Sequence, residues 1–363
     1  MTKKILIATG GTGGHVFPAY SLANYLSNKN FNVKLTTDNR GFRFLKSYKN
    51  INLIKIPSSP LIKKNFFTIL FSILTIFFSI IKSMITLIFD RPAIIFGMGG
   101  YSSFPICFAA FILRIKFIIY ENNLVIGKAN KYLLPFSKKI FVSFKNLEGV
   151  SKKYDNKIVE IGNIIREEIL YSNIVLNHQD QFNDLKILVL GGSQAAKVFA
   201  DELPQIFKKL KNNHIPIKVF QQCQKEQLNQ LSNFYSNAKI EHELFNFTDK
   251  IIDYYSKSNL VVTRAGASVL GELINYNIPF ISIPLPTSAD NHQYKNAKFY
   301  EKKGYGYLLE EKDIKNKLFV LIKAIFSDKL LLKKILFNQR QYSDKEIFKT
   351  LNIQIEKILD EKN

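Results

Sequence analysis

Two glycine-rich turns of the same kind stand half a chain apart, and each directly follows a short apolar run. The first is KKILIATGGTGGH at residues 3–15, and the second is LKILVLGGSQAAK at residues 185–197. Each pattern predicts a buried parallel strand, a tight turn and a helix start, where backbone N–H groups and the helix dipole face an anion. The repeat therefore predicts an α/β fold of two Rossmann-like, doubly wound domains that face each other across a cleft.

The length and the alternation of segments also favour two domains. The chain has 363 residues, more than a single ordinary core holds, and strand-like and helix-like segments alternate throughout. We expect an N-terminal domain at 1–165, a C-terminal domain at 166–340, a linker at 172–184, and a final helix within 341–363 that could pack back on the first domain. The predicted strands lie near residues 3–8, 32–37, 51–56, 93–97, 116–120, 139–143, 157–161, 185–190, 216–221, 239–244, 259–262, 279–283 and 306–308.

The cysteine content and the N-terminus favour a cytoplasmic protein. Cys107 and Cys223 are the two cysteines of the chain, too few for a disulfide framework or a four-ligand zinc site. The apolar run that follows Lys4 ends at Gly10, which is too short for a signal peptide.

The charge of the chain indicates anionic partners. Lysine and arginine number 51 against 29 aspartate and glutamate, a formal net charge of +22. An anionic membrane surface and phosphorylated substrates both fit this charge, and so does compositional drift in a chain rich in Lys, Ile, Asn and Phe. We do not expect nucleic acid as a partner, because the lysines are scattered and no nucleic-acid-binding module is legible.

One segment breaks the soluble pattern. Residues 65–81, NFFTILFSILTIFFSII, carry no charge, and apolar character resumes at 84–89. This length is at the edge of the window for a transmembrane helix, but hydroxyl side chains recur every three to four residues from Thr68 to Ser79. We favour a helix that lies partly in the membrane interface or packs on the sheet, with full burial and a true span as alternatives. The predicted membrane surface consists of Lys63, Lys64, Phe67, Phe71, Phe78 and Lys82.

The first half carries an imidazole in its glycine-rich turn. His15 would lie at a helix start, where the dipole favours the neutral ring, and could take a proton from an attacking hydroxyl. A histidine that only hydrogen-bonds within its turn is the alternative. Two more loops, FGMGGYSSFP at 96–105 and YENNLVIGKANK at 120–131, follow strands of the same half. We expect these loops to converge with the first turn at one edge of the sheet.

The second half repeats the pattern in VVTRAGASVLGEL at 261–273. Gly266 and Ala267 allow close backbone approach, and the N–H groups that follow suit a diphosphate. Glu272 could accept both hydroxyls of a ribose. It could instead be a solvated carboxylate, or one that only stabilises the dipole at the helix N-terminus. Further on, PLPTSADNHQYKNA at 284–297 is dense in neutral hydrogen-bonding groups, which recognise sugar hydroxyls or cap helices.

Taken together, the motifs resemble one enzyme family. GGTGGHVFPA, GMGGYSSFP, ENNxxxGxxN, GNxxR, GGSQ, RAGASxxxE and ADNHQxxNA occur in this order between residues 3 and 300. In this order and spacing they resemble the bacterial family 28 glycosyltransferases of peptidoglycan synthesis. The resemblance implies a GT-B fold, no metal or other cofactor, and inverting transfer of N-acetylglucosamine from UDP-GlcNAc to the muramyl 4-hydroxyl of lipid I, which forms lipid II.

The resemblance also implies partners and a location. UDP-GlcNAc would bind the C-terminal domain, and lipid I would meet the N-terminal domain at an anionic membrane surface. The protein would then be peripheral, on the cytoplasmic face of the plasma (inner) membrane. Carried over position by position, UDP-GlcNAc contacts are implied at Thr12, Gly13, Gly14, Asn123, Arg166, Ser193, Thr248, Ala267, Ser268, Val269, Leu270, Glu272, Gln293 and Asn296.

Within that set the resemblance assigns roles. Glu272 would hold the ribose. Gln293 and Asn296 would hold the N-acetylglucosamine sugar. Ser193 and the backbone of the 267–270 turn would hold the uracil or the diphosphate. His15 matches a position assigned to the catalytic base or to contact with the acceptor.

Three positions depart from the family pattern. Ala195 replaces a glycine, Ile164 replaces a proline, and Val269 replaces a threonine whose hydroxyl is usual there. Because Val269 still offers its N–H, we expect weaker phosphate binding rather than lost activity. The alternatives to a lipid II-forming transferase are a related enzyme that glycosylates diacylglycerol, a UDP-GlcNAc 2-epimerase, and a non-enzymatic module that binds membrane or nucleic acid.

Overall fold

The computed structural model describes residues 3–46, 48, 51–59, 65–171, 183–192 and 196–361. The chain forms two compact units, one of Met1–Glu167 with Asp344–Asn363 and the other of Glu168–Ser343. Most of the predicted linker, Ser193, Ala195, Lys63 and Lys64 lie outside the described residues.

The first unit is built on a parallel sheet of seven strands in the order β3-β2-β1-β4-β5-β6-β7. Its central strands are buried on both faces, which is why they read as continuous apolar runs. The strands are β1 Lys4–Ala8, β2 Asn32–Thr37, β3 Asn52–Lys55, β4 Ile94–Gly97, β5 Phe117–Glu121, β6 Lys139–Val142 and β7 Ile158–Glu160. The helices are α1 Gly13–Asn28, α2 Asn39–Leu45, α3 Phe66–Phe89, α4 Phe104–Ile112, α5 Lys128–Leu133 and α6 Glu167–Leu170, the last of which crosses the boundary between the units.

The second unit has a parallel sheet of six strands in the order β10-β9-β8-β11-β12-β13. Its strands are β8 Leu185–Leu190, β9 Ile217–Gln222, β10 Glu241–Phe245, β11 Leu260–Thr263, β12 Phe280–Ser282 and β13 Tyr307–Leu308. Its helices are α7 Lys197–Asn212, α8 Leu228–Asn237, α9 Ile251–Lys257, α10 Ala267–Tyr276, α11 His292–Lys302, α12 Phe319–Ser327 and α13 Lys329–Arg340.

The chain ends in α14, Ile347–Asp360, which packs in the first unit. The Tyr25 and Phe348 rings stack with their centroids 4.4 Å apart, and Lys116 Nζ donates to the Ile358 carbonyl at 3.0 Å. A cation at the carbonyl end of a helix also stabilises the helix dipole.

The prediction of two Rossmann-like α/β domains is confirmed. All thirteen predicted strands occur, each within two residues of its predicted bounds. In both sheets the chain runs outward in one direction and then returns to the other side of the first strand, so a switch point lies between β1 and β4 and another between β8 and β11. Doubly wound sheets bind ligands at the carboxyl ends of the strands beside such points.

Candidate functional site

Three loops of the first unit meet at the carboxyl edge of its sheet. They follow β1, β4 and β5, which are neighbours in the strand order. The Asn122 side-chain amide donates to the Gly14 carbonyl at 3.1 Å, which joins the loop after β5 to the start of α1. The convergence that the sequence predicts for these loops is therefore present.

His15 lies half-buried in the first turn of α1, against the loop after β4. A Cβ atom built on Gly99 would lie 3.1 Å from His15 Nδ1, and one built on Gly100 would lie 3.2 Å from His15 Cδ2. The Thr9 hydroxyl donates to the His15 carbonyl at 2.9 Å and holds the start of the helix. The imidazole thus lies beside the switch point between β1 and β4.

A buried carboxylate that the sequence argument did not single out fixes the first turn. Asp38 Oδ1 accepts from the backbone N–H of Gly11 at 3.0 Å and of Gly41 at 2.8 Å. Its Oδ2 accepts from the Tyr101 hydroxyl at 3.1 Å. Burial, and then the Asp38 charge, raise the pKa of Tyr101, so its hydroxyl remains a donor at neutral pH. Asp38 therefore ties the loops after β1 and β4 to the start of α2.

A second buried carboxylate shapes the loop after β5. Glu121 Oε1 accepts from the Asn123 side-chain amide at 2.8 Å, and Oε2 accepts from the Gly127 N–H at 2.8 Å and from the Asn130 amide at 2.9 Å. The ENNxxxGxxN motif is thus held by its first residue. Asn123, a predicted UDP-GlcNAc contact, is half-buried, and its amide nitrogen also donates to Asn122 Oδ1 at 3.1 Å.

Two other predicted contacts of the first unit lie beside α1. Thr12 precedes the helix in an extended conformation, and its side chain makes no capping hydrogen bond. The ring of Phe17 packs against Gly13, where an added Cβ would lie 2.9 Å from it, and the Arg166 guanidinium stands 4.6 Å from the centroid of that ring. The structure thus places Thr12, Gly13 and Arg166 within one neighbourhood at the start of α1.

Ile164 replaces the proline of the family pattern, and its backbone N–H makes a hydrogen bond. That group donates to the Tyr120 hydroxyl at 3.0 Å, a bond that a proline lacks the hydrogen to make. Tyr120 is buried and also hydrogen-bonds to Ser143 Oγ at 3.0 Å. This departure from the family pattern therefore adds a hydrogen bond inside the first unit.

In the second unit, α10 begins directly after the turn that follows β11. Gly266 is its N-cap, and the first intrahelical bond runs from Leu270 N to the Gly266 carbonyl at 3.1 Å. The N–H groups of Ala267, Ser268 and Val269 precede that bond, so they point out of the helix start as an anion site requires. Val269 covers the turn, since a Cβ on Gly266 would lie 3.8 Å from its methyl group.

Glu272 lies one turn further along α10 and is buried, with 6 % of its surface exposed. Its Oε2 accepts from the Tyr255 hydroxyl of α9 at 2.9 Å. A solvated carboxylate, one of the alternatives for Glu272, is therefore wrong. A neighbouring helix therefore positions the carboxylate.

Asn296 and Gln293 both hydrogen-bond to the loops around the switch point of the second unit. The buried Asn296 amide donates to the Ala265 carbonyl at 3.3 Å, and Gln293 Oε1 accepts from the Leu285 N–H at 2.9 Å. Both predicted sugar contacts therefore connect α11 to the loops after β11 and β12.

A buried arginine that the sequence argument also missed crosses the same region. Arg264 pairs with Glu311 and donates to the Ile283 carbonyl at 3.2 Å. Its guanidinium also stands 4.8 Å from the centroid of the Phe199 ring. The RAGAS motif thus begins with a side chain that joins three separate segments of the second unit.

Thr248 is the predicted contact that stands apart from this group. It follows β10, which is three strands from β11 in the order of the sheet, and its hydroxyl accepts from the Lys250 N–H at 3.0 Å before α9 begins. Strand spacing puts the end of β10 about 14 Å from the end of β11. In the described part of the chain, no three His, Cys, Asp or Glu side chains come together as a metal site.

The predicted membrane segment forms α3, a helix of 24 residues. Asn65 caps it, accepting from the Thr68 N–H at 2.8 Å. The helix is long and apolar enough to cross a membrane, yet only 17 % of its most apolar 18-residue stretch is buried. Full burial, one of the alternatives for this segment, is therefore wrong.

The two faces of α3 differ, because its serines, Ser72, Ser79 and Ser83, are buried against the protein and its phenylalanines face outward. Thr68, by contrast, is exposed. Ser79 Oγ donates to the Pro57 carbonyl at 2.5 Å, and Ser72 Oγ hydrogen-bonds with Ser59 Oγ at 3.1 Å. By contrast, Phe67 is 78 % exposed and Phe71 is 70 % exposed. Phe78 and Lys82 are exposed as well. The helix therefore lies along the first unit with an apolar stripe uncovered.

The positive charge of the chain is concentrated in the unit that carries this stripe. The first unit has 28 lysine and arginine residues against 12 aspartate and glutamate, a net charge of +16. The second has 23 against 17, a net charge of +6. Exposed apolar surface and excess positive charge thus occur in the same unit.

Comparisons with known proteins match both halves of the chain. The Glycosyltransferase family 28 N-terminal domain matches residues 5–142, and the Glycosyltransferase family 28 C-terminal domain matches residues 186–351. A relative from Pelagibacter ubique is 35% identical over 365 residues, which cover 99% of this chain and 100% of that protein. That relative is named UDP-N-acetylglucosamine--N-acetylmuramyl-(pentapeptide) pyrophosphoryl-undecaprenol N-acetylglucosamine transferase.

Two solved structures show how far the likeness in fold extends. The chain is similar to Acinetobacter baumannii MurG, with a TM-score of 0.75 and 25% identity over 98% of this chain and 99% of that one. A putative UDP-N-acetylglucosamine 2-epimerase from Listeria monocytogenes gives a TM-score of 0.68 at 12% identity, over 100% of this chain and 98% of that one. The second likeness is one of fold alone.

Proposed function

The chain belongs to glycosyltransferase family 28, and we propose that it transfers N-acetylglucosamine from UDP-GlcNAc to the muramyl 4-hydroxyl of lipid I, forming lipid II. The observation that carries this proposal is the similarity to the Pelagibacter ubique transferase, which extends over the full length of both chains. Epimerase activity is disfavoured, because the Listeria monocytogenes protein shares the fold at low identity.

The reaction inverts the anomeric carbon in one displacement. The acceptor oxygen bonds to C1 of N-acetylglucosamine while the bond from C1 to the UDP oxygen breaks, and the hydroxyl proton passes to His15. An imidazole is the side chain suited to accept a proton near neutral pH. The position of His15 beside the switch point of the first unit supports this role.

The donor is assigned to the second unit. The start of α10 supplies backbone N–H groups to the diphosphate, which stabilise the negative charge that develops as UDP leaves. Glu272, already positioned by Tyr255, accepts from the ribose hydroxyls. Gln293 and Asn296 border the sugar. The remaining predicted contacts keep their proposed roles: Thr12, Gly13, Gly14, Asn123, Arg166, Ser193 and Thr248.

The acceptor is assigned to the first unit, which docks on the cytoplasmic leaflet as a peripheral protein. The uncovered phenylalanines of α3 insert into the headgroup region, and the excess lysine and arginine attract anionic lipid. The buried serines of α3 support docking along the surface rather than a span, because Ser79 and Ser72 are already hydrogen-bonded to the protein.

One incubation tests the proposal against its rivals. The purified protein is given UDP-GlcNAc alone, with a lipid I analogue, or with diacylglycerol, and the products are separated by mass. We expect UDP and a lipid II analogue only in the second tube. Conversion of UDP-GlcNAc in the first tube to an isomer of the same mass, resolved by chromatography, would support epimerisation. A glycolipid in the third would support the diacylglycerol enzyme, and UDP-GlcNAc left unchanged in all three would contradict an enzymatic role.

A further inference from the structure

The loop after β4 contains two consecutive glycines whose missing side chains leave room for one imidazole. Gly99 and Gly100 both have positive φ, +84° and +73°, a conformation that strongly favours glycine. Conformation alone would permit asparagine at such positions. The space around them is more restrictive than the backbone angles.

The His15 ring occupies that space along its whole width. A Cβ on Gly99 would stand 3.1 Å from both Nδ1 and Cε1 of the ring. A Cβ on Gly100 would stand 3.2 Å from Cδ2 and 3.5 Å from Nε2. One edge of the imidazole therefore faces the first glycine and the opposite edge faces the second.

The turn that carries these glycines is itself held on both sides. The Asn130 amide nitrogen lies 3.5 Å from the Cβ position of Gly99, and that amide is oriented by Glu121 at 2.9 Å. Ser103 Oγ donates to the Gly100 carbonyl at 3.0 Å. The backbone against which the ring lies is thus fixed by its neighbours.

We propose that the Gly99–Gly100 turn is a positioning element for His15, which fixes the rotamer and the plane of the imidazole. The inference rests on the proposed function in one respect, since it assumes that the orientation of this ring matters for transfer. A ring displaced by about 1 Å from its working geometry costs on the order of a hundredfold in rate. The glycines would then be required by the geometry of the base as well as by the turn.

The test compares Gly100→Ala with Gly149→Ala in the full-length protein. Gly149 also has a positive φ, +85°, and its added Cβ would stand 3.2 Å from a methyl group of Ile126. The two variants therefore carry similar backbone strain and similar crowding. The melting temperature should therefore fall by a similar amount in both. Only Gly100→Ala crowds His15.

We expect Gly100→Ala to lower kcat by about 10- to 100-fold with the KM for UDP-GlcNAc within about twofold of wild type. Gly149→Ala should keep a kcat within about twofold of wild type. Equal kcat values in Gly100→Ala and the wild type would overturn the proposal, as would an equal loss of kcat in both variants.

A spectroscopic measurement separates this inference from the proposed function. Histidine labelled with ¹³C at Cε1 gives one correlation for each of the five histidines, and His15→Gln identifies the signal of His15. Gly100→Ala should shift that signal, while Gly149→Ala should not. An unmoved signal contradicts the positioning role even if the enzyme is active. A wild type without transferase activity contradicts the proposed function and leaves the signal as an independent test of the turn.

Discussion

The Asp344 carboxylate accepts hydrogen bonds from the backbone N–H and from the side-chain amide of Asn163, each at 3.1 Å. Both residues are buried in the first unit. Asn163 lies four residues before the chain leaves that unit at Glu167, and Asp344 is the residue at which the chain returns. Gly162 permits the contact, because a Cβ there would collide with Asp344 Oδ1.

We therefore expect Asp344→Ala to destabilise the first unit by about 2 to 4 kcal/mol, because two buried donors lose their acceptor. Thermal or urea unfolding measures the change. Asp360→Ala is the matched control, since that carboxylate belongs to the same terminal segment but is 78% exposed in its ion pair with Lys3. The control should change stability by less than about 0.5 kcal/mol. Similar losses of unfolding free energy in the two variants would show that the buried Asp344–Asn163 pair stabilises the fold no more than the exposed ion pair does.

A second prediction concerns donor binding. Glu272→Ala should weaken UDP-GlcNAc binding by about 1.5 to 3 kcal/mol, the range for loss of a hydrogen bond to a charged group. Tyr255→Phe removes the hydroxyl that positions this carboxylate and leaves the carboxylate in place. It should therefore weaken binding by less, while the melting temperature falls in both variants. Titration calorimetry gives the affinities, and an unchanged affinity in Glu272→Ala would remove Glu272 from the ribose site.

The strands were predictable because their information is local. Apart from Lys186, Leu185–Leu190 consists of apolar residues, and a glycine follows it. Burial on both faces of a parallel sheet requires such a run. The glycine turns were predictable for the same reason, because the strand before each turn and the helix after it are adjacent in the sequence. The two sheets and the loops at their carboxyl edges follow from such segments.

The two buried carboxylates, Asp38 and Glu121, differ in how far their partners lie along the chain. Asp38 binds the N–H of Gly11, 27 residues away, and the hydroxyl of Tyr101, 63 residues away. No spacing rule links such positions, because the fold alone brings them together. Glu121 is different, since the donors to its carboxylate in the described structure lie within nine residues. Its role could have been inferred from the ENNxxxGxxN motif as an internal hydrogen-bond network.

The orientation of α3 was only half predictable. Periodic hydroxyl groups indicated two unlike faces, but a polar stripe on a surface helix normally faces water. Here Ser79 and Ser72 bond to Pro57 and Ser59 in the segment between β3 and α3. Those partners have no pattern of their own in the sequence, so the inward position of the serines could not be derived from it. The exposure of Phe67, Phe71 and Phe78, by contrast, is what the predicted membrane surface requires.

A third prediction concerns the stability of the fold at low pH. Asp90 pairs with Lys34 at 2.6 Å and with Lys4 at 2.5 Å, and these hydrogen bonds hold its pKa below the ordinary value of 3.8. A lowered pKa in the folded state means that the pair stabilises the fold fully above about pH 4. This contribution is lost as the pH falls through the folded pKa.

Asp90→Asn should accordingly lower the free energy of unfolding by about 0.5 to 1 kcal/mol at pH 7, since the groups are partly exposed. The difference from wild type should vanish below the folded pKa and shrink in high salt. Urea unfolding across pH 3 to 7 measures it. A difference that stays constant over that range would show that the variant acts through packing instead of charge.

The last prediction concerns the uncovered face of α3. Insertion of apolar side chains and attraction of lysine to anionic headgroups are independent terms, the latter about 1 kcal/mol for each basic residue near the surface. Changing Phe67, Phe71 and Phe78 together to serine should reduce vesicle binding at any salt concentration. Changing Lys63, Lys64 and Lys82 to glutamine should reduce it mainly at low salt and on anionic lipid.

Co-sedimentation with phosphatidylglycerol and with phosphatidylcholine vesicles measures both effects. Phe337→Ser is the matched control, because this phenylalanine is 64% exposed in the second unit and should not affect binding. Transfer to a water-soluble acceptor analogue should be retained by the serine variant, since the substituted side chains are exposed and lie outside the core. Equal binding by wild type and serine variant would exclude α3 as the docking surface. Resistance of the wild type to extraction from membranes by carbonate would instead favour a span.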